Sequence, residues 1–89
     1  MKLPKLPHAL QRADSYELRG LEIIRGRGSK PEDRLRVADI KSWQIHPEMV
    51  LDMVEITLAD SQRVVWLDKY DDLRGILHRV AVDRELSAG

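Results

Sequence analysis

The stretch "RVVWLDKYDDLRGILHRV", residues 63–80, changes its periodicity half-way, and that change decides the fold. Val64 and Trp66 alternate with their neighbours at the period of two that marks a strand with one buried face. From Leu73 onward the apolar residues Leu73, Ile76, Leu77, Val80 and Ala81 follow i, i+3, i+4, i+7 and i+8, which is one stripe of an amphipathic helix with Asp72, Arg74 and Arg79 outside it. A strand therefore runs into a C-terminal helix over about residues 69–83. Asp68 suits the N-cap, and Asp71, three residues later, is placed to reach back and to favour the positive end of the helix dipole. Gly75 costs about 1 kcal/mol against alanine in a helix interior, so it is expected to mark a close approach to a strand or to a bulky side chain such as Trp66.

Working towards the N-terminus, "MVEITLAD" (53–60) alternates Val54, Ile56 and Leu58 inward against Glu55 and Thr57, and "ADSQ" turns it into the strand that opens at Arg63. His46-Pro47-Glu48 ends the preceding strand, because proline cannot donate to a ladder. In that strand Trp43 and Ile45 share a face, and a bend at Ala38-Asp39 separates them from Leu35 and Val37. "GRGSKPED" (26–33) is the strongest loop signal in the chain and reads as a hairpin connection. Before it, Tyr16 and Leu18 alternate until Gly20 breaks the count and Leu21 and Ile23 resume one register off, which predicts a turn or bulge at Gly20. The expected architecture is mainly β, about six antiparallel strands in a roll or partly open barrel, capped by one helix. Residues 16–83 form the domain, 1–15 an arm with a short helix at 8–14, and 84–89 a frayed tail.

The chain has 89 residues, enough for one domain with a modest core, since a chain of this size buries only about 60–65% of its unfolded surface. Fifteen basic residues balance fifteen acidic ones, which argues against the global field of a protein that coats nucleic acid or a membrane surface. No cysteine is present, so disulfides and thiolate metal sites are excluded, and the cytoplasm is the default location. The opening "MKLPKLPHAL" is interrupted by Pro4 and Pro7, so neither a signal peptide nor a transmembrane segment is expected. Pro4-Lys5-Leu6-Pro7 has the PxxP spacing of a polyproline II ligand, against which stands an extended arm packed on its own domain.

No catalytic constellation is legible. His8, His46 and His78 fall in the arm, at a strand end and in the helix, without partners at metal-binding spacing. No serine sits in a nucleophile elbow, and Gly26-Arg27-Gly28 lacks the third glycine and following helix of a phosphate cradle. Asp68, Asp71 and Asp72 are accounted for by helix capping. The expectation is a protein with no catalytic residues, no metal and no cofactor. One basic patch remains: Arg25, Arg27, Lys30, Arg34 and Arg36, with Lys41 beyond them, set among Glu32, Asp33 and Asp39. Pairing across the hairpin would bring Arg25 or Arg27 beside Arg34 and Arg36, where guanidiniums hold a phosphate, or would make a solvated edge that discourages sheet-to-sheet pairing. Nucleic acid is not expected, because no aromatic interleaves with the basic residues. Trp43 suits a core position and an exposed anchor for a partner equally well.

The pattern "LEIIRGRG…DRLRVADIKSWQI…MVEITLADSQRVVWLDKYDDLRGIL" resembles the small bacterial pleckstrin-homology-like domains over residues 16–82. The residues that carry the likeness are Leu21, Ile23, Asp39, Ile40, Trp43, Ile56, Leu58, Val64, Leu73, Ile76 and Leu77. The resemblance implies two nearly orthogonal sheets with the helix plugging one end, a binding or scaffolding role and no catalysis. Arg25, Arg34 and Arg36 are similar to the basic motif with which some eukaryotic members hold phosphoinositides, although arginine stands where lysine commonly opens it. One strand fewer than the usual seven would leave an edge open to a partner or a second copy. The leading expectation is thus a non-catalytic module that binds a protein or itself. The alternatives are a binder of anionic lipid headgroups or phosphate through residues 25–36, and a small enzyme or regulatory subunit with an unrecognised site.

Overall fold

The computed structural model describes residues 14–86. The strands are β1 (Ser15–Arg19), β2 (Glu22–Gly26), β3 (Asp33–Arg36), β4 (Ile40–Pro47), β5 (Asp52–Leu58) and β6 (Arg63–Asp68), followed by the helix α1 (Asp72–Val80). They form two three-stranded antiparallel meanders, β1-β2-β3 and β4-β5-β6. The mainly β architecture expected from the sequence is therefore the one observed, a partly open roll with a C-terminal helix. The expected arm and short helix lie outside the described residues except at Asp14 and Ser15, of which Ser15 opens β1.

Each connection follows from its sequence. Gly20-Leu21 closes β1 on β2 as a two-residue turn, with Gly20 at φ 63° as a type II′ turn requires of its first central residue. Leu21, one of the residues that carried the family resemblance, is consequently exposed in the turn and takes no part in the core. The bend expected at Ala38-Asp39 is a single 3-10 turn, Val37–Asp39, which carries the chain from the first sheet to the second. The Asp39 carbonyl accepts a hydrogen bond from Ala59 N, which fixes the corner to the far end of β5.

The two sheets close on one core. Ile23 and Leu35 enter it from the first sheet, Ile40, Trp43, Ile45, Val54, Ile56 and Trp66 from the second, and Leu73, Ile76, Leu77 and Ala81 from the helix and its C-terminal end. The alternation in β4 and β5 and the i, i+3, i+4 stripe in α1 are what turn these residues inward. The sheets are also tied where β1 meets β6. The Tyr16 ring stacks on Trp66 with centroids 5.8 Å apart, and its hydroxyl donates to the Leu67 carbonyl.

Two expectations need correction. The helix is shorter than 69–83, because Asp71 adopts a left-handed conformation (φ 63°) and Ala81 leaves helical geometry. The segment from residue 84 is docked as far as it is described. After a second 3-10 turn, Val82–Arg84, Leu86 N donates to the Trp43 carbonyl at 2.8 Å, and Arg84 Nη1 donates to the carbonyls of Val37 (3.0 Å) and Ile40 (3.3 Å).

Candidate functional site

The basic hairpin does not assemble the arginine cluster read from the sequence. Ile24 is opposite Arg34 and Glu22 opposite Arg36, whereas Arg25 is opposite Asp33. Residues facing each other across an antiparallel pair share a face, so Arg25 lies on the inner face and Arg34 and Arg36 on the outer one. Arg25 is held between Asp14 (Nη2–Oδ2 3.0 Å) and Asp33 (Nη1–Oδ2 3.3 Å), with its guanidinium over the Trp66 ring. Arg27 Nε is 3.3 Å from the same Asp33 oxygen and is buried without a hydrogen-bond partner. On the outer face Arg34 meets Glu22 at 3.8 Å and Arg36 meets Asp39 at 3.1 Å. Lys30 is exposed in the loop. Four of the five basic residues thus face a carboxylate of their own domain, on two sides of one sheet.

Trp43 is fully buried, and its indole N–H donates to the Ala81 carbonyl at 2.7 Å. Of the two roles open to it, the exposed anchor is excluded, since a partner cannot reach it in the folded domain. His78 packs against its ring and approaches Glu85 at 3.2 Å, and His46 lies 3.9 Å from Glu55. These are single pairs. Among the described residues no three of His, Asp and Glu converge as metal ligands, and no helix is long and apolar enough to cross a membrane.

The acidic cluster divides into one capping residue and two others. Asp68, only 1% exposed, accepts from Leu73 N through Oδ1 (3.2 Å) and from Arg74 N through Oδ2 (2.9 Å). It caps the helix from four residues upstream, which the left-handed Asp71 makes possible by turning the chain back. Asp71 occupies the N-cap position by its backbone but makes no side-chain capping bond, contrary to the role expected for it. Burial pushes the Asp68 carboxyl above the usual carboxylate range; the two backbone N–H groups oppose this, and the charges of Asp71 and Asp72 add to it. Burial, and then the charge of Asp14, likewise raise the Tyr16 phenol, which holds it neutral as a donor to Leu67.

The feature that sequence reading missed is a groove of about 400 Å3 between β1 and α1. Tyr16, Glu17 and Leu18 line one side. Side chains alternate along a strand, so three consecutive residues border one groove only where it runs along the strand's edge. That edge is unpaired among the described residues, since β1 ends its sheet. With Arg19 and Glu22 as the hydrogen-bonded pair flanking a two-residue turn, the alternation of the ladder directs the N–H and C=O of Tyr16 and Leu18 away from β2. The opposite wall is one face of the helix, Asp72, Gly75, Ile76 and Arg79, with Asp71 at its end.

Gly75 faces this space. A Cβ built on it meets nothing within 4 Å, so the close contact expected from the sequence does not exist. The glycine instead leaves a gap in the groove wall. A glycine inside the helical stripe is the one signal in the sequence that could have marked this groove.

Compared with known proteins, the chain matches no family model, no curated protein and no solved structure.

Proposed function

We propose that this protein is a non-catalytic binding module that takes an extended segment of polypeptide along the outer edge of β1, between that strand and α1. The observation that carries this reading is the groove itself. It offers backbone groups that are unpaired among the described residues on one wall and a helix face lowered by Gly75 on the other. A peptide laid against such an edge gains main-chain hydrogen bonds from the strand and side-chain selectivity from the helix. The mixed lining, apolar at Leu18 and Ile76 and acidic at Glu17, Asp71 and Asp72, suits a ligand bound by a few apolar anchors and positive charge. Two antiparallel meanders with a C-terminal helix also support placing the protein with the pleckstrin-homology-like rolls, as a member one strand short. A protein partner or a second copy of the chain fits this module, and the lack of cysteine fits a cytoplasmic setting.

The test is a selection of random 12-residue peptides displayed on phage against the intact protein, repeated with Gly75→Ala and Gly75→Trp. Both variants replace glycine with a better helix former in open space, so both should remain folded. Peptides enriched on the wild type should keep binding to Gly75→Ala and lose at least tenfold in affinity for Gly75→Trp, whose indole fills the groove. Failure to enrich any peptide, or binders indifferent to the tryptophan, would sink the reading.

A further inference from the structure

We propose that the exposed face of α1 beside the groove is a two-fold contact through which two copies of this chain pair, helix against helix in antiparallel sense. The contact involves no peptide, so it stands or falls apart from the reading of the groove as a peptide site.

Spacing is the first argument. Asp72, Gly75 and Arg79 stand at i, i+3 and i+7, which places them on one stripe of the helix, and all three are exposed. Leu73 and Leu77 are buried on the other side, in the core. Gly75 falls nearly midway along the charged stripe. At 1.5 Å per residue, Arg79 lies about 6 Å from Gly75 along the helix axis, and Asp72 about 4.5 Å from it in the opposite direction. Two such helices laid antiparallel, with their glycines at the crossing, set Arg79 of each copy level with Asp71 and Asp72 of the other. The face is therefore self-complementary, as a two-fold interface requires. A parallel arrangement would set Asp72 against Asp72 and Arg79 against Arg79, so the charges also select the direction.

The second argument is that these charges have no other use. Among the described residues, Asp71, Asp72 and Arg79 join no ion pair. Within one helix Asp72 and Arg79 are about 10.5 Å apart along the axis, too far to meet each other. Glu17, on the opposite wall of the groove, is already engaged by Arg19 and is not needed for the contact.

Room is the third. Helices packed through ordinary side chains keep their axes about 8–10 Å apart, and a glycine at the crossing admits the neighbouring backbone more closely. A Cβ built on Gly75 meets nothing within 4 Å, so its own domain does not fill that space. Two helices of nine residues bury less surface than the roughly 1,200 Å2 of a stable complex, which makes this a weak dimer in exchange with the monomer. In dilute protein, where the peptide selection is made, the groove stays open.

Sedimentation equilibrium of the full chain, from about 10 µM to about 1 mM protein in about 50 mM salt, should show monomer giving way to dimer, with less dimer as added salt screens the pairs. Asp72→Arg and Arg79→Asp should each weaken association at least about tenfold, because one substitution replaces two attractions across the two-fold axis by two repulsions. An equimolar mixture of these two variants should dimerise again, since each chain then meets opposite charge at both ends of the contact. Gly75→Trp, a better helix former placed in open space, should remain monomeric over the same range. That variant keeps the proposal testable even where a charge reversal prevents folding, which a urea midpoint reveals. A wild-type chain that is monomeric throughout would overturn the proposal. So would a Gly75→Trp chain that pairs as well as the wild type, or folded charge variants whose mixture associates no better than either alone. A monomeric wild type that still enriches phage peptides would leave the groove reading standing, whereas a dimer with the expected variants that enriches none would support the pairing and remove that reading alone.

Discussion

At the edge of β4 the carbonyl of Trp43 is taken by Leu86 N, the Trp43 indole is anchored on Ala81, and Arg84 ties the same segment to the corner between the sheets. At the edge of β1 the described residues bring no comparable cover; the helix lies alongside, with a glycine where a side chain would narrow the gap. Each is the edge of a three-stranded sheet, and either would be a template for unwanted pairing if left bare. The first is closed by residues that follow the helix in sequence. The second is bordered by it and left accessible. The contrast separates an edge that serves folding from one available for binding, and substitutions on each side should behave accordingly.

The largest effect is expected on the closed side. Trp43→Ala removes the largest of the fully buried side chains together with the hydrogen bond to Ala81, and should destabilise the protein by about 3–5 kcal/mol in urea unfolding. In Trp43→Phe, which keeps an aromatic ring but loses the N–H donor and part of the indole's volume, amide exchange at Leu86 should accelerate more than exchange at Leu18. Equal acceleration at the two edges would mean that the C-terminal segment is not what distinguishes them.

Next comes the residue that holds the helix between the two edges. Asp68→Ala leaves the N–H groups of Leu73 and Arg74 without their acceptor and should cost about 2–4 kcal/mol. Its pH dependence has a definite sign. A carboxyl whose pKa is raised on folding binds more protons folded than unfolded, so its contribution makes stability fall as pH rises from the ordinary carboxylate pKa, near 4, through the raised value. Below that window the penalty is absent, and above it the penalty is complete. Asp68→Asn should abolish this component, visible as the difference between the urea midpoints of the two proteins from pH 3 to 7. A flat difference would show that burial and the capping bonds cancel, and a difference that rises with pH would show that the capping bonds prevail.

How far the sequence foretold this arrangement depends on the range of the signal. Alternation in β4 to β6 and the helical stripe from Leu73 are local, and each put its residues where the core requires them. The arginine hairpin failed because facing is a matter of parity: the pairing of Arg25 with Asp33 is set by the six residues between β2 and β3, and moving the register by one would exchange every face. The cap shifted from Asp71 to Asp68 because a single left-handed residue bends the chain back, which no spacing rule anticipates. Docking of residues 84–86 depends on the Trp43 carbonyl, some forty residues distant, so the tail's polar composition alone read as frayed. The groove was invisible for a similar reason. It lies between elements far apart in the chain, and only Gly75 marked it.

The smallest effect has the opposite sign and tests the open side most directly. Gly75→Ala adds a methyl group where nothing lies within 4 Å and removes the conformational freedom that makes glycine a poor helix residue. The substitution should therefore stabilise the protein by up to about 1 kcal/mol, raising the urea midpoint without changing the slope of the transition. If glycine served helix packing, alanine would instead be neutral or harmful, because the methyl group would meet whatever the glycine accommodates. A measured gain would mean that the wild-type protein carries a less stable helix than its own packing demands. That is the expected signature of a position kept small for something that enters the groove, since natural stability is commonly given up where a site must stay open. A measured loss would place an atom against the glycine in the folded state, close the gap between the two edges, and remove the ground for treating β1 differently from β4.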